Sequence, residues 1–218
     1  MSSVHAMSSE KASHVKLRGH QREREFNKVY GLLDAEVNFS GASADCEIRQ
    51  NHPILLELRH SIGSNSRSVS VKGGNTIQIH LGNLPELTDK DEYRVIGSHP
   101  TVVEHGISFS EQERNLKDPA FWNKYLRKGD VMAYSYDNGQ HIFFNMDDVI
   151  DFICNRIEWR YLSTGRLKGD FVDGESRQQL LTYEYRTKKK SFVLGAHGGK
   201  KGRQFVETLR KNVRHYIR

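Results

Sequence analysis

The tripeptide Asp137-Asn138-Gly139, set between the apolar runs VMAYSY and HIFFN, constrains the fold more than any other stretch of the chain. Asn-Gly accepts the positive φ of a tight turn, so the flanking runs are expected to pair as an antiparallel hairpin. A second strand signal lies upstream in SVSVK, residues 68–72. There Val69 and Val71 point to one side, Ser68, Ser70 and Lys72 point to the other, and two glycines follow. Strands of this kind need helices to cover their apolar face. Phe26, Val29, Tyr30 and Leu33 recur at helical spacing over residues 20–33. PILLELRHSI, residues 53–62, opens on proline, carries a stripe of Ile54, Leu55, Leu58 and Ile62, and ends at Gly63.

The remaining elements follow from the same rules. AEVNF (35–39) and ADCEIR (44–49) read as short strands. Beyond the glycines, Ile77, Leu81 and Leu84 suit a short helix, whereas Ile77, Ile79 and Leu81 suit a strand. Asp118-Pro119 caps a helix running to about Lys128, and MDDVIDFICNRIEWRYL (146–162) reads as one long amphipathic helix. LLTYEYR and KSFVLG form a further strand pair, and a basic helix over 201–216 closes the chain. The expected class is α/β: a mixed β-sheet flanked by helices, with additional hairpins and a basic C-terminal helix. At 218 residues the chain can bury one substantial core. Residues 1–15, polar and rich in serine, read as a flexible leader, and 16–218 as a single domain.

A hydrophobic fraction of 36% and a charged fraction of 28% argue for a folded chain rather than a disordered one. No apolar run approaches the roughly 18 residues of a membrane span, and no signal-type segment opens the sequence, so a cytoplasmic address without membrane association is expected. Cys46 and Cys154 lie in no metal-type pair and read as buried, reduced thiols. Charge is unevenly placed. From Arg186 to Arg218 there are 11 Lys/Arg against one acid, Glu207, while the residues before them hold 22 basic and 26 acidic side chains. A basic lobe on a mildly acidic body is the footprint of a polyanion binder.

Chemistry-bearing residues concentrate in the first hundred positions. Glu23 and Glu25 lie on the polar face of the first helix, Asp45 follows a Gly-Ala-Ser-Ala bend, Ser70 and Lys72 share a strand face, and Glu86 comes 14 residues after Lys72. Cutting a phosphodiester requires a carboxylate-held divalent metal, a route to hydroxide, and a cation against the charge that builds on phosphorus. Asp45 with Glu23 or Glu86 can supply the carboxylates for Mg²⁺, and Lys72 the cation. Each residue also has a plain reading. A strand-edge lysine guards against aggregation, helix glutamates are ordinarily solvated, and an aspartate after a bend is often a turn residue.

Taken together, RGHQREREF, Asp45 and Ser70-Val71-Lys72 resemble the motifs of PD-(D/E)XK nucleases over residues 18 to about 90. The sequence departs from that pattern at Ala44, where proline is usual, and at Ser70, where an acid is expected. It is similar in this to restriction endonucleases in which serine fills the slot and a carboxylate from a following helix replaces the lost ligand. The resemblance implies a restriction-endonuclease-like core at about 18–100 and a DNA-contacting elaboration at about 100–218. It implies Asp45 and Glu86 as metal ligands with Gln78 as fallback, Lys72 as the group orienting water or stabilising the transition state, and Glu23 as an auxiliary acid. It further implies Mg²⁺ as cofactor, double-stranded DNA as substrate, 5′-phosphate and 3′-hydroxyl products, and a homodimer matching palindromic sites.

A competing constellation sets Asp170 before Glu184-Tyr185-Arg186, with Lys188, Lys189 and Lys190 beyond. Arginine is a poor substitute there for a lysine working near water. In GAHGGKKGRQF, a glycine turn with His197 leads into Lys200, Lys201 and Arg203, a suitable set for backbone phosphates. Two alternatives remain: a junction-resolving or repair nuclease of the same fold, and a nucleic-acid-binding protein in which Ser70 marks a decayed site.

Overall fold

In the computed structural model, residues 3–31, 44–83, 114–161, 167–186, 191–196 and 198–218 are described. Among these residues the architecture is mixed α/β with two five-stranded sheets. The chain divides into two compact units interleaved in sequence: Met1–Gly73, Lys128–Met146 and Arg214–Arg218 form the first, and Gly74–Arg127 with Asp147–Val213 the second. Residue 100, where the sequence reading divides core from elaboration, lies outside the described residues, as does the strand expected at 35–39.

The first unit holds helices α1 (Ser3–Tyr30) and α2 (Ile54–Ile62) and strands β1 (Cys46–Glu47), β2 (Ser68–Gly73), β4 (Val131–Ser135), β5 (His141–Asn145) and β10 (His215–Ile217). Helix α1 takes in the polar segment that the sequence reads as a leader. Strand order is β1-β2-β4-β5-β10, and the sheet is mixed, since β2 and β4 run parallel while every other pair is antiparallel. The β4–β5 hairpin turns at Gly139 with φ 82°, the conformation the Asn-Gly signal requires. Phe26 and Tyr30 of α1 and Ile54, Leu58 and Ile62 of α2 pack on Val69, Val71, Val131, Ala133 and Phe143, so both helices cover the same face of the sheet. Gly63 ends α2 in the left-handed conformation, φ 67°, its N–H bonded to the Arg59 carbonyl.

The second unit holds β3 (Ile77–Asn83), α3 (Pro119–Tyr125), β6 (Ile157–Tyr161), β7 (Leu167–Asp173), β8 (Ser176–Arg186), β9 (Ser191–Ala196) and α5 (Lys201–Asn212), together with most of α4 (Met146–Arg156). Its sheet, β3-β9-β8-β7-β6, is antiparallel throughout. The open choice at Ile77 falls to the strand. Asp118 caps α3 as expected, accepting from the Ala120 N–H at 2.8 Å. Two helices are shorter than the sequence suggests. The 146–162 helix stops at Arg156, because Ile157, Trp159 and Tyr161 alternate with polar residues and pair with Phe171, Gly169 and Leu167 as strand β6. The C-terminal helix stops at Asn212, where Val213 turns extended, and His215–Ile217 completes the edge of β5.

Candidate active site

The site grows from one register. Cys46 pairs with Val69 across the antiparallel β1–β2 ladder, so the residue before β1, Asp45, arrives beside Ser70. Asp45 Oδ2 accepts three bonds there: from Ser70 Oγ at 3.0 Å, the Val71 backbone N–H at 2.8 Å, and Lys72 Nζ at 2.9 Å. Lys72 Nζ also donates to the Val71 carbonyl at 3.1 Å. The ion pair is largely shielded, with 16% of the lysine side chain and 14% of the aspartate side chain exposed. All three donors fall on Oδ2, and among the described residues none donates to Oδ1. Ser70, in the slot where an acid is expected, is 3% exposed and spends its hydroxyl on holding Asp45.

Two further elements close around this pair. Glu23, expected with Glu25 on the polar face, instead stands one helical turn before Phe26 on the buried stripe of α1, and its backbone carbonyl accepts from the Cys46 thiol at 3.5 Å. The Glu23 carboxylate is only 17% exposed and meets His20 Nδ1 at 3.2 Å. Glu25 points outward and accepts from Gln21 instead. The Cys46 thiol is pushed up to about 12 by burial and then by the carboxylates of Asp45 and Glu23. The other element is the lead-in to β4. A Cβ on Gly129 would lie 2.7 Å from the Ser70 nitrogen and 2.8 Å from the Val69 carbonyl carbon, so only glycine lets the chain run this close to β2. Lys128, the preceding residue, has its ammonium pKa lowered by burial and by the nearby Lys72 charge, partly offset by Asp45. At the far end of β2, Gly73 leaves room for the Arg22 side chain, whose guanidinium reaches Asp137 at 3.2 Å. Sequence reasoning singled out neither Lys128 nor Arg22, because the parallel β2–β4 pairing that brings Lys128 in is non-local.

The other expected residues are placed as follows. Glu86, Lys188, Lys189 and His197 lie outside the described residues. Gln78 is exposed on β3 of the second unit. Asp170 is buried opposite Gln179, and Glu184 is buried opposite Val193. Five positions along β8 separate Gln179 from Glu184, roughly 15 Å of strand, so the competing carboxylates are not brought together. Lys201 Nζ is committed to the Gln179 carbonyl at 2.8 Å. Lys200 and Arg203 are exposed and line an open groove along α5 with Gln178, Gln204, Glu207 and Lys211.

Among the described residues no three His, Cys, Asp or Glu side chains converge as a ready-made metal cage, and no helix is long and apolar enough to cross a membrane. A Mg²⁺ site of the sparse kind still fits, since that ion takes one or two carboxylates and completes its shell with water and phosphate. No protein-family model, curated protein or solved structure matches the chain.

Proposed function

We propose that the chain is a Mg²⁺-dependent endonuclease that cuts phosphodiester bonds in double-stranded DNA, as a sequence-specific enzyme of the type II restriction class with a restriction-endonuclease-like core. The observation that carries the reading is the convergence of Ser70 Oγ, the Val71 N–H and Lys72 Nζ on one oxygen of Asp45, with the other oxygen left over. A purely structural ion pair has no need of such an arrangement. A carboxylate that must offer one oxygen in a fixed direction does.

Asp45 would hold the ion through Oδ1, and Glu86 would supply the second carboxylate that Ser70 does not. The bound metal would contribute Lewis-acid stabilisation of phosphate charge and a lowered pKa for water. Ser70 and the Val71 amide orient the Asp45 carboxylate. Lys72, held within 2.9 Å of it, offers its ammonium to the charge that develops on the scissile phosphate and to the attacking water. Lys128 adds a second cation next to Lys72, and Glu23 a second acid. Lys200 and Arg203 on α5, with Lys188, Lys189 and His197 nearby in sequence, would grip backbone phosphates, and a homodimer would match a palindromic site.

The test is to incubate the protein with mixed plasmid and phage DNA in Mg²⁺ and in EDTA. Discrete metal-dependent fragments with 5′-phosphate ends support the reading. Cleavage confined to branched DNA transfers it to a junction-resolving enzyme, and binding without cleavage overturns both.

A further inference from the structure

The polar face of the second unit's sheet carries a cluster that the cleavage chemistry does not use. Glu158 and Arg160 of β6 project to the face opposite Ile157 and Trp159, and Asp170 of β7 and Arg177 of β8 meet them there. Asp170 is the centre. Its side chain is 1% exposed, and Oδ2 accepts from Arg160 Nε at 2.5 Å and Arg177 Nη1 at 3.3 Å. Its Oδ1 is buried without a hydrogen-bond partner. Arg177 spends its other terminal nitrogen on Glu158 Oε2 at 2.6 Å. A bulge sits at this point: Gly169 faces Leu181 but Asp170 faces Gln179, which leaves Leu180 as the extra residue. Bulges re-aim side chains and are enriched beside functional sites.

Stability does not account for the arrangement. Burying a carboxylate costs several kcal/mol of desolvation, and a packed apolar residue at such a position is commonly as stable or more so. What the buried Asp170 achieves is to hold guanidinium groups in fixed planes at the surface. Arg177 has both terminal nitrogens occupied. Among the described residues Arg160 is bonded only through Nε, which leaves Nη1 and Nη2 as a fork on a side chain that is 45% exposed. A fork of this kind fits a pair of acceptors, as in a phosphate or the N7 and O6 atoms of guanine. Lys168 faces Arg160 across the β6–β7 ladder, so this face sets Arg160, Arg177 and Lys168 against Asp170 and Glu158, and charge does not separate the two ligands. The bond from Nε to Asp170 does: it fixes the plane of the Arg160 guanidinium, which directional reading of N7 and O6 requires and a phosphate contact does not.

We propose that Arg160 is a sequence-reading residue that contacts a guanine of the DNA through its two terminal nitrogens, and that Asp170 is its positioning residue. This rests on the reading of the protein as one that acts on double-stranded DNA. The experiment selects bound duplexes from a random-sequence pool with the Lys72→Ala protein in Mg²⁺ and sequences them. The expected motif contains a guanine whose replacement weakens binding about 10- to 100-fold, as loss of a bidentate base contact does. Adding Arg160→Ala, or Arg160→Lys with its single point charge, erases the preference at that position and keeps the others. Replacing that guanine by 7-deazaguanine weakens binding to the Arg160 protein and leaves binding to Arg160→Ala unchanged. Asp170→Asn acts like Arg160→Ala where it folds, and the half-exposed Arg160 variants carry the test where it does not. A motif unchanged by Arg160→Ala, or a uniform loss of affinity for all sequences, overturns the inference alone. Failure of the Lys72→Ala protein to bind any duplex overturns the DNA reading itself, and this inference with it.

Discussion

The Asp45–Lys72 pair makes a quantitative prediction about the empty protein, before any DNA or metal is involved. At 2.9 Å and an effective dielectric constant of about 20, the bare Coulomb attraction is about 6 kcal/mol. Desolvation offsets part of this, because both side chains are more than four-fifths shielded, and bonds to charged groups typically net about 1.5–3 kcal/mol. Asp45→Ala also strips the acceptor from Ser70 Oγ and the Val71 N–H, so it should cost about 2–4 kcal/mol, more than Lys72→Ala. A cycle of the two single variants and the double variant should therefore give a coupling of about 1.5–3 kcal/mol. Tryptophan fluorescence is the wrong probe, since Trp122 and Trp159 both belong to the second unit. Native-state hydrogen exchange of the β2 amides reads the first unit directly. A coupling below about 0.5 kcal/mol, the level of an exposed surface pair, would mean that Lys72 does not rest on Asp45 and that the site is not assembled in advance.

Three further perturbations follow from the same contacts. Gly129→Ala drives a Cβ to 2.7 Å from the Ser70 nitrogen, so β2 or its neighbour must shift; thermal denaturation should show a loss of about 1–3 kcal/mol, and the proposed DNA cleavage should fall with it. Cys46 and Cys154, whose thiols are pushed up to about 12 and about 11 by burial, should resist alkylation at pH 8 in the native protein and both react in urea. His141, whose Nδ1 lies 3.2 Å from the Tyr30 hydroxyl, has its pKa lowered by burial, so the unfolded chain binds its proton first. Stability should be full above about pH 6.5 and fall as the pH drops from there toward the lower folded-state value, a slope that urea titrations should find reduced in His141→Gln.

What the sequence made legible was local. The Val69/Val71 alternation, the Asp137-Asn138-Gly139 turn and the α2 stripe each specify their element within a few residues, and all three are present. The helical phase that buries Phe26 and Tyr30 also carries Glu23 inward and leaves Glu25 outside, whereas charge alone sets both on the polar face. Non-local pairing set the rest. Ile157–Tyr161 continues an apolar helical stripe as readily as it alternates, and only the β7 strand beside it decides the matter. His215–Ile217 becomes a strand because β5 offers an edge, which no window around residue 215 records. Lys128 enters the site through a parallel pairing between segments about sixty residues apart in sequence.

A crystal of the protein grown or soaked with Mn²⁺ in place of Mg²⁺, and read by anomalous scattering, tests the central claim most directly. The account predicts an ion bonded to the Asp45 carboxylate through Oδ1, with Ser70 Oγ and the Val71 amide still on Oδ2. An ion held instead at Asp170 or Glu184, or a bare Asp45 at saturating metal, would contradict it.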